Sequence, residues 1–173
     1  MSGLLFLTTD DFKLIGNKNN DSKILINNIS GFSLILFYSK QCEYCKSLEP
    51  IFMKLPGTIT GCHFGQINIG KNKDVIRMSQ QSITPITYVP LVILYYNKKP
   101  YMRYDGPSDI NEIQNFVLEV ASSIQRQIGD ENNNEQFEEE ETGYVIPDYC
   151  IARPTKGGLK EKICYINFSD AYE

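Results

Sequence analysis

The stretch FSLILFYS (32–39) is almost unbroken apolar sequence, as a strand covered on both faces requires. It runs straight into QCEYCKSLEPIF, where the spacing of the apolar residues changes. Leu48, Ile51, Phe52 and Leu55 fall at i, i+3, i+4 and i+7, the stripe of a helix with one buried face. A buried strand that hands over directly to a half-buried helix commits the chain to a layered α/β arrangement. The handover itself carries two cysteines, Cys42 and Cys45, separated by two residues. Pro50 lies inside the helical pattern and is expected to kink it.

Other segments extend this reading. LLFLT (4–8) reads as a short strand, and TTDDFKLI as a helical turn capped by Thr9 or Asp10. GNKNNDSKILINNISG, rich in Asn and Gly, reads as a loop around a short amphipathic segment. HFGQINIG (63–70) is the next strand and NKDVIRMSQQS (72–82) the next helix. VPLVILYY (89–96) turns through NKKP into YMRYDG (101–106), a hairpin pattern. SDINEIQNFVLEVASSIQRQI (108–128) is a helix capped by Ser108 or Asp109, with Ile110, Ile113, Phe116, Val117, Val120 and Ile124 along one stripe. The order is β–α–β–α–β–α–β–β–α, an α/β domain with a mixed sheet.

Charge divides the chain. Residues 1–129 carry a net +3, and DENNNEQFEEEET (130–142) carries −7 without one basic residue. Residues 143–173 balance to zero. The acidic run reads as a solvated linker. The tail beyond it holds two strand-like pieces, GYVIP and KICYINF, too few for a core of their own. No basic stripe accompanies the aromatic residues, so nucleic-acid binding is not expected. No apolar run approaches the ~18 residues of a membrane span, and MSGLLFLTTDDF does not have the pattern of a secretory signal. Five cysteines at low density do not read as a disulfide-stapled secreted domain, so a reducing, cytoplasmic setting is expected.

In that setting the close pair has three readings: a redox couple, half of a metal site, or two inert buried thiols. With Cys42 just before the first helical turn, Cys45 falls one turn later on the same side, and the sulfurs can close a small disulfide ring. The helix N-terminus offers unpaired amides and partial positive charge, which favour a thiolate. Cys42, the more exposed of the two, is then the attacking nucleophile, and Cys45, deeper in the helix, the resolving thiol. Lys46 adds a cation nearby and Glu43 opposes it. Zinc requires two more ligands. The sequence has no second CxxC, and its one histidine, His63, is the immediate neighbour of Cys62, a poor chelating pair. No metal and no cofactor are expected; His63 reads as a surface or packing residue and Cys62 as a free thiol. Cys150 and Cys164, in the tail, are read as unpaired, as bonded to each other, or as offering a thiol to the active site.

The motif and the order of elements together resemble the thioredoxin family over about residues 4–125. FLTTDDF resembles the family's opening strand and first helix. ILFYSKQCEYCKSLEPIF resembles its central strand, active site and kinked helix, with Pro50 in the expected place. QINIGKNKDV resembles the following strand and turn, and YVPLVILYYNKKP the segment whose proline is cis. That implies a cis Pro90, with Pro85 as a rival. RYDGPSDINEIQNFV closes the pattern, its Gly106 and Pro107 arranged as in protein disulfide isomerase domains. The resemblance implies a thioredoxin fold, a mixed sheet flanked by helices. It also implies that Val89 and Pro90 bind a substrate peptide along the backbone edge beside the cysteines, as an added strand.

Departures from the family are as informative. The usual Trp before the first cysteine is Gln41, and the pair between the cysteines is Glu-Tyr, closest to the Pro-Tyr of glutaredoxins, which makes Tyr44 a substrate-binding candidate. The family's buried acid is Leu36, and its lysine partner is Gln66, so the usual proton shuttle for the resolving thiol is missing; water or Tyr44 is the expected substitute. The organisation expected is a thioredoxin-like domain at 1–128, an acidic linker at 129–142 and an interaction tail at 143–173. The expected function is a thiol–disulfide oxidoreductase acting on protein thiols and disulfides. One alternative is a structural module docked through residues 143–173 in a large assembly such as a virus particle. Another is a glutathione-dependent glutaredoxin-like enzyme, for which no glutathione-carboxylate site is evident.

Overall fold

The computed structural model describes residues 3–17, 20–131 and 164–165. Its centre is a five-stranded mixed sheet in the order β1-β5-β4-β7-β8. The strands are β1 (Leu4–Leu7), β4 (Phe32–Tyr38), β5 (Cys62–Asn68), β7 (Leu91–Tyr96) and β8 (Lys99–Tyr104). β1 and β4 both run parallel to β5, while β7 is antiparallel to β4 and to β8. Every residue of β4 from Ser33 to Tyr38 is buried, the signature of a strand covered on both faces. The unbroken apolar run encoded that position. Three helices complete the layers: α1 (Glu43–Phe52), α2 (Lys73–Gln80) and α3 (Ile110–Glu131). This is the mixed sheet flanked by helices that the resemblance implies.

Caps and turns follow the local chemistry. The Asp109 carboxylate accepts from the backbone N–H groups of Asn111 and Glu112 at 2.9 and 3.2 Å, so Asp109 and not Ser108 caps α3. The β7–β8 turn places Asn97 and Lys98 at φ 46° and 74°, the left-handed pair of a tight hairpin. β8 opens at Lys99, two residues before the expected hairpin partner, because Pro100 is tolerated on an edge strand. Gly106 is required sterically: a Cβ there would stand 2.5 Å from the Tyr104 hydroxyl oxygen, which donates to the Pro107 carbonyl at 2.7 Å. α3 runs through residue 131, into the start of the acidic stretch.

The largest correction falls between β1 and β4. The expected helix at TTDDFKLI is one 3₁₀ turn, Thr9–Asp11, closed by the Asp11 N–H to the Thr8 carbonyl (3.2 Å), while the Thr8 N–H donates to the Asp11 carboxylate (2.8 Å). Phe12 then leaves in extended backbone and begins β2 (Phe12–Asn17), which pairs antiparallel with β3 (Asn20–Asn27). The segment read as a loop is therefore mostly strand. Its alternation explains this: Phe12 is buried, Lys13 exposed, and β-branched Ile24 and Ile26 favour extended backbone. Buried Asn27 is satisfied by donating to Ser33 Oγ (3.0 Å) and accepting the Ile29 N–H (2.9 Å). α2 packs against this strand pair.

Candidate active site

β4 delivers the chain to the site. After Tyr38 the backbone turns, with the Cys42 N–H donating to the Ser39 carbonyl at 3.2 Å, and α1 begins at Glu43 with Cys42 as its N-cap. Cys42 has extended backbone and its sulfur accepts the Cys45 N–H at 3.3 Å, satisfying one of the orphan amides of the helix start. The same sulfur donates to the Val89 carbonyl at 3.6 Å. Val89 belongs to β6 (Tyr88–Val89), and the Val89–Pro90 peptide is cis; it is Pro90, not Pro85, that takes this form. The structure thus brings Cys42, Cys45, Val89 and Pro90 to one place.

Cys45 is buried one turn into α1, beside the apolar Leu48 and Phe52 stripe. Tyr44 points outward between the cysteines, 40% exposed. Lys46 and Glu43 pair with each other on the solvent side, a contact worth little because both are exposed. Cys42 is the more exposed of the two thiols, as expected, but by little: 3% against 1% for Cys45. The sulfur faces the β6 backbone instead of open solvent, and β6 itself is not a free edge. It pairs antiparallel with β9 (Cys164–Tyr165), Tyr88 opposite Tyr165 and Val89 opposite Cys164. The strand-like KICYINF piece accounts for β9; GYVIP and Cys150 lie outside the described residues.

Leu36 and Gln66 stand where the family's acid and lysine were expected to be replaced, and the structure makes them direct neighbours across β4 and β5. Both are buried, and Gln66 Oε1 accepts no hydrogen bond from any described residue. Two residues missed by sequence reasoning are electrostatically linked to the Cys45 surroundings. Tyr38 is buried, and its phenol is pushed above the usual range by burial first, then by the Glu49 carboxylate and the Cys45 sulfur. Glu49 follows Cys45 by four residues on α1, hence on the same helix face. That spacing was the available signal. Cys62, also buried, is pushed up to about 12 by burial, only partly offset by a hydrogen bond from the Leu34 backbone. His63 is exposed at the start of β5. Among the described residues no three His, Cys, Asp or Glu side chains gather where they could hold a metal ion. None of the described helices is long and apolar enough to cross a membrane.

Fold and site together define an α/β protein that presents a CxxC pair at a helix N-terminus facing a cis-proline edge. The chain belongs to the thioredoxin family, whose sequence model matches residues 13–119. It is 34% identical over 177 residues to the uncharacterized protein 196R of invertebrate iridescent virus 6, covering 99% of this chain and 95% of that one. It is 30% identical to the uncharacterized protein 020R of invertebrate iridescent virus 3, over 98% and 96% of the two chains. Both matches therefore run through the tail. Protein disulfide isomerase-like 2-3 of Oryza sativa subsp. japonica is 27% identical over 64% of this chain and 24% of its own. Among solved structures, human ERp44 (form I) superimposes at TM-score 0.51 with 16% identity, over 69% of this chain and 29% of that one, a likeness of fold. Family and fold support a function of the thiol–disulfide oxidoreductase type.

Proposed function

We propose that this protein exchanges disulfides with protein substrates through Cys42 and Cys45. The Cys42 sulfur attacks a substrate disulfide, one substrate sulfur leaves as a thiolate, and a mixed disulfide forms. Cys45 then attacks the Cys42 sulfur, closes the Cys42–Cys45 bond and releases the second substrate thiolate, so that two electrons pass from the dithiol to the substrate. Run backwards, the same steps oxidise a substrate dithiol. The substrate peptide lies along Val89 and Pro90 with Tyr44 at its flank. The single observation that carries this reading is the Cys42 sulfur, held by the Cys45 amide at 3.3 Å while it faces the Val89 carbonyl at 3.6 Å. A thiol between an amide that supports negative charge and a peptide backbone supports exchange with an extended chain.

The cysteine usage supports a reducing, cytoplasmic setting. A second reading, a module of a virus particle docked through residues 143–173, draws support from the two viral relatives. The pairing of residues 164–165 with this chain's own β6 weighs against it. The deciding experiment is a redox titration of the full chain in glutathione buffers, with the state of Cys42 and Cys45 read by alkylation and mass spectrometry. The expected result is a two-electron transition between dithiol and disulfide. A midpoint near the value of about −270 mV typical of thioredoxin assigns a reductase, and a markedly higher one an oxidase or isomerase. A pair that never oxidises removes the proposal and leaves the structural module.

A further inference from the structure

We infer that the segment at Cys164–Tyr165 is a built-in occupant of the substrate edge, and that Cys164 exchanges with the Cys42–Cys45 disulfide. The inference rests on the oxidoreductase reading and names the regulator of that same site. β6 is two residues long, stands outside the five-stranded sheet and has β9 as its strand partner. Residues 132–163 separate α3 from β9 in sequence. The β6–β9 pairing therefore joins segments far apart in sequence. The register is the second observation. Cys164 stands opposite Val89, the residue whose carbonyl accepts the Cys42 thiol at 3.6 Å. Opposed Cα atoms in an antiparallel pair lie about 4.5–5.5 Å apart, so the tail sets a cysteine at the position on this edge where a substrate cysteine must meet Cys42.

The chemistry balances within the chain. The Cys164 thiolate attacks the Cys42 sulfur of the oxidised pair, and the Cys42–Cys45 bond breaks as the Cys42–Cys164 bond forms. Cys45 leaves as a thiolate and takes up the proton that Cys164 gave to solvent. No external electron is consumed. The tail thus competes with protein substrates for the edge and for the nucleophile, so that a substrate must displace a strand before it reacts.

The test uses the full chain. In Cys45→Ser, oxidised glutathione first caps Cys42, and Cys164 then displaces glutathione; peptide mapping is expected to find an intramolecular Cys42–Cys164 disulfide. A persistent glutathione cap, or a bond from Cys42 to Cys150, overturns the inference. In the reduced wild-type background, Tyr165→Pro breaks the two-residue ladder, and alkylation of Cys42 by iodoacetamide is expected to accelerate about tenfold, the scale of one or two net backbone hydrogen bonds. An unchanged rate overturns the docking. Cys164→Ser keeps the strand and separates the two levels. If it still forms the Cys42–Cys45 disulfide while Cys45→Ser traps no Cys42–Cys164 bond, only the tail inference falls. If the Cys42–Cys45 disulfide fails to form there too, the oxidoreductase reading falls with it.

Discussion

Cys42 and Cys62 are equally hidden from solvent, at 3% each, and yet they occupy two different kinds of place. Cys62 opens β5 with β4 at its side, its sulfur donating to the His63 carbonyl at 3.5 Å. Desolvation dominates there and holds the proton on the sulfur well above the ordinary thiol range, at about 12. Cys42 caps a ten-residue helix, receives an amide, and donates to the carbonyl of Val89 in β6, a two-residue strand paired with β9. Burial by itself therefore does not rank the thiols. What differs is what each sulfur meets: for Cys62 the His63 carbonyl of its own strand, for Cys42 the Val89 carbonyl of β6, on a separate element.

The sharpest way to break this comparison is to remove each sulfur in turn. Cys42→Ala is expected to abolish disulfide exchange with a model peptide, whereas Cys62→Ala leaves the exchange rate within about twofold and costs stability through the small cavity it opens. An active Cys42→Ala protein would place the chemistry elsewhere. A smaller effect is expected beneath the site. With Leu36 in place of a buried acid, Glu49 is the carboxylate on the Cys45 face of α1, and it and the Cys45 sulfur both bear on the Tyr38 phenol. Glu49→Gln is expected to slow release of a preformed Cys42–substrate mixed disulfide about a hundredfold, at the low end for one proton-transfer group. The first step, attack by Cys42, keeps its rate. Equal slowing of both steps would assign Glu49 a structural part only.

How far the sequence carried these conclusions differs between the same two regions. The β4–α1 junction was legible because two strong signals agreed there, an unbroken apolar strand and a 3.6-residue stripe, with CxxC between them. The edge at Val89–Pro90 was legible through the family resemblance, and the start of the apolar strand there favours Pro90 over Pro85. The β2–β3 pair was misread because DFKLIGN and SKILIN are short, and the Asn/Gly-rich run between them carries loop chemistry that outweighed their alternation. The β6–β9 pairing was out of reach for a different reason. It joins residue 89 to residue 164, and no local pattern encodes a pairing across that separation. Tyr38 and Glu49 lay in between: the i, i+4 spacing from Cys45 was visible, but only the fold sets Tyr38 against them.

The subtlest separation of the two sulfurs lies in alkaline stability. A thiol whose folded-state value is raised keeps its proton in the native protein while the unfolded chain loses it, so the unfolded state gains with rising pH. The stabilising contribution of neutral Cys62 is whole below about pH 9 and is lost progressively as pH climbs towards about 12. One proton of difference corresponds to a slope of about 1.4 kcal/mol per pH unit. Tyr38, Tyr95 and Tyr104 are pushed upward by burial as well and add their own losses above pH 10, their ordinary value. The clean window is therefore pH 9–10, and the clean quantity is the difference between wild type and Cys62→Val in urea unfolding. The wild type is expected to lose stability faster than the variant across that window. Parallel slopes would mean that the Cys62 sulfur is solvated, and that the two cysteines differ less than their surroundings imply.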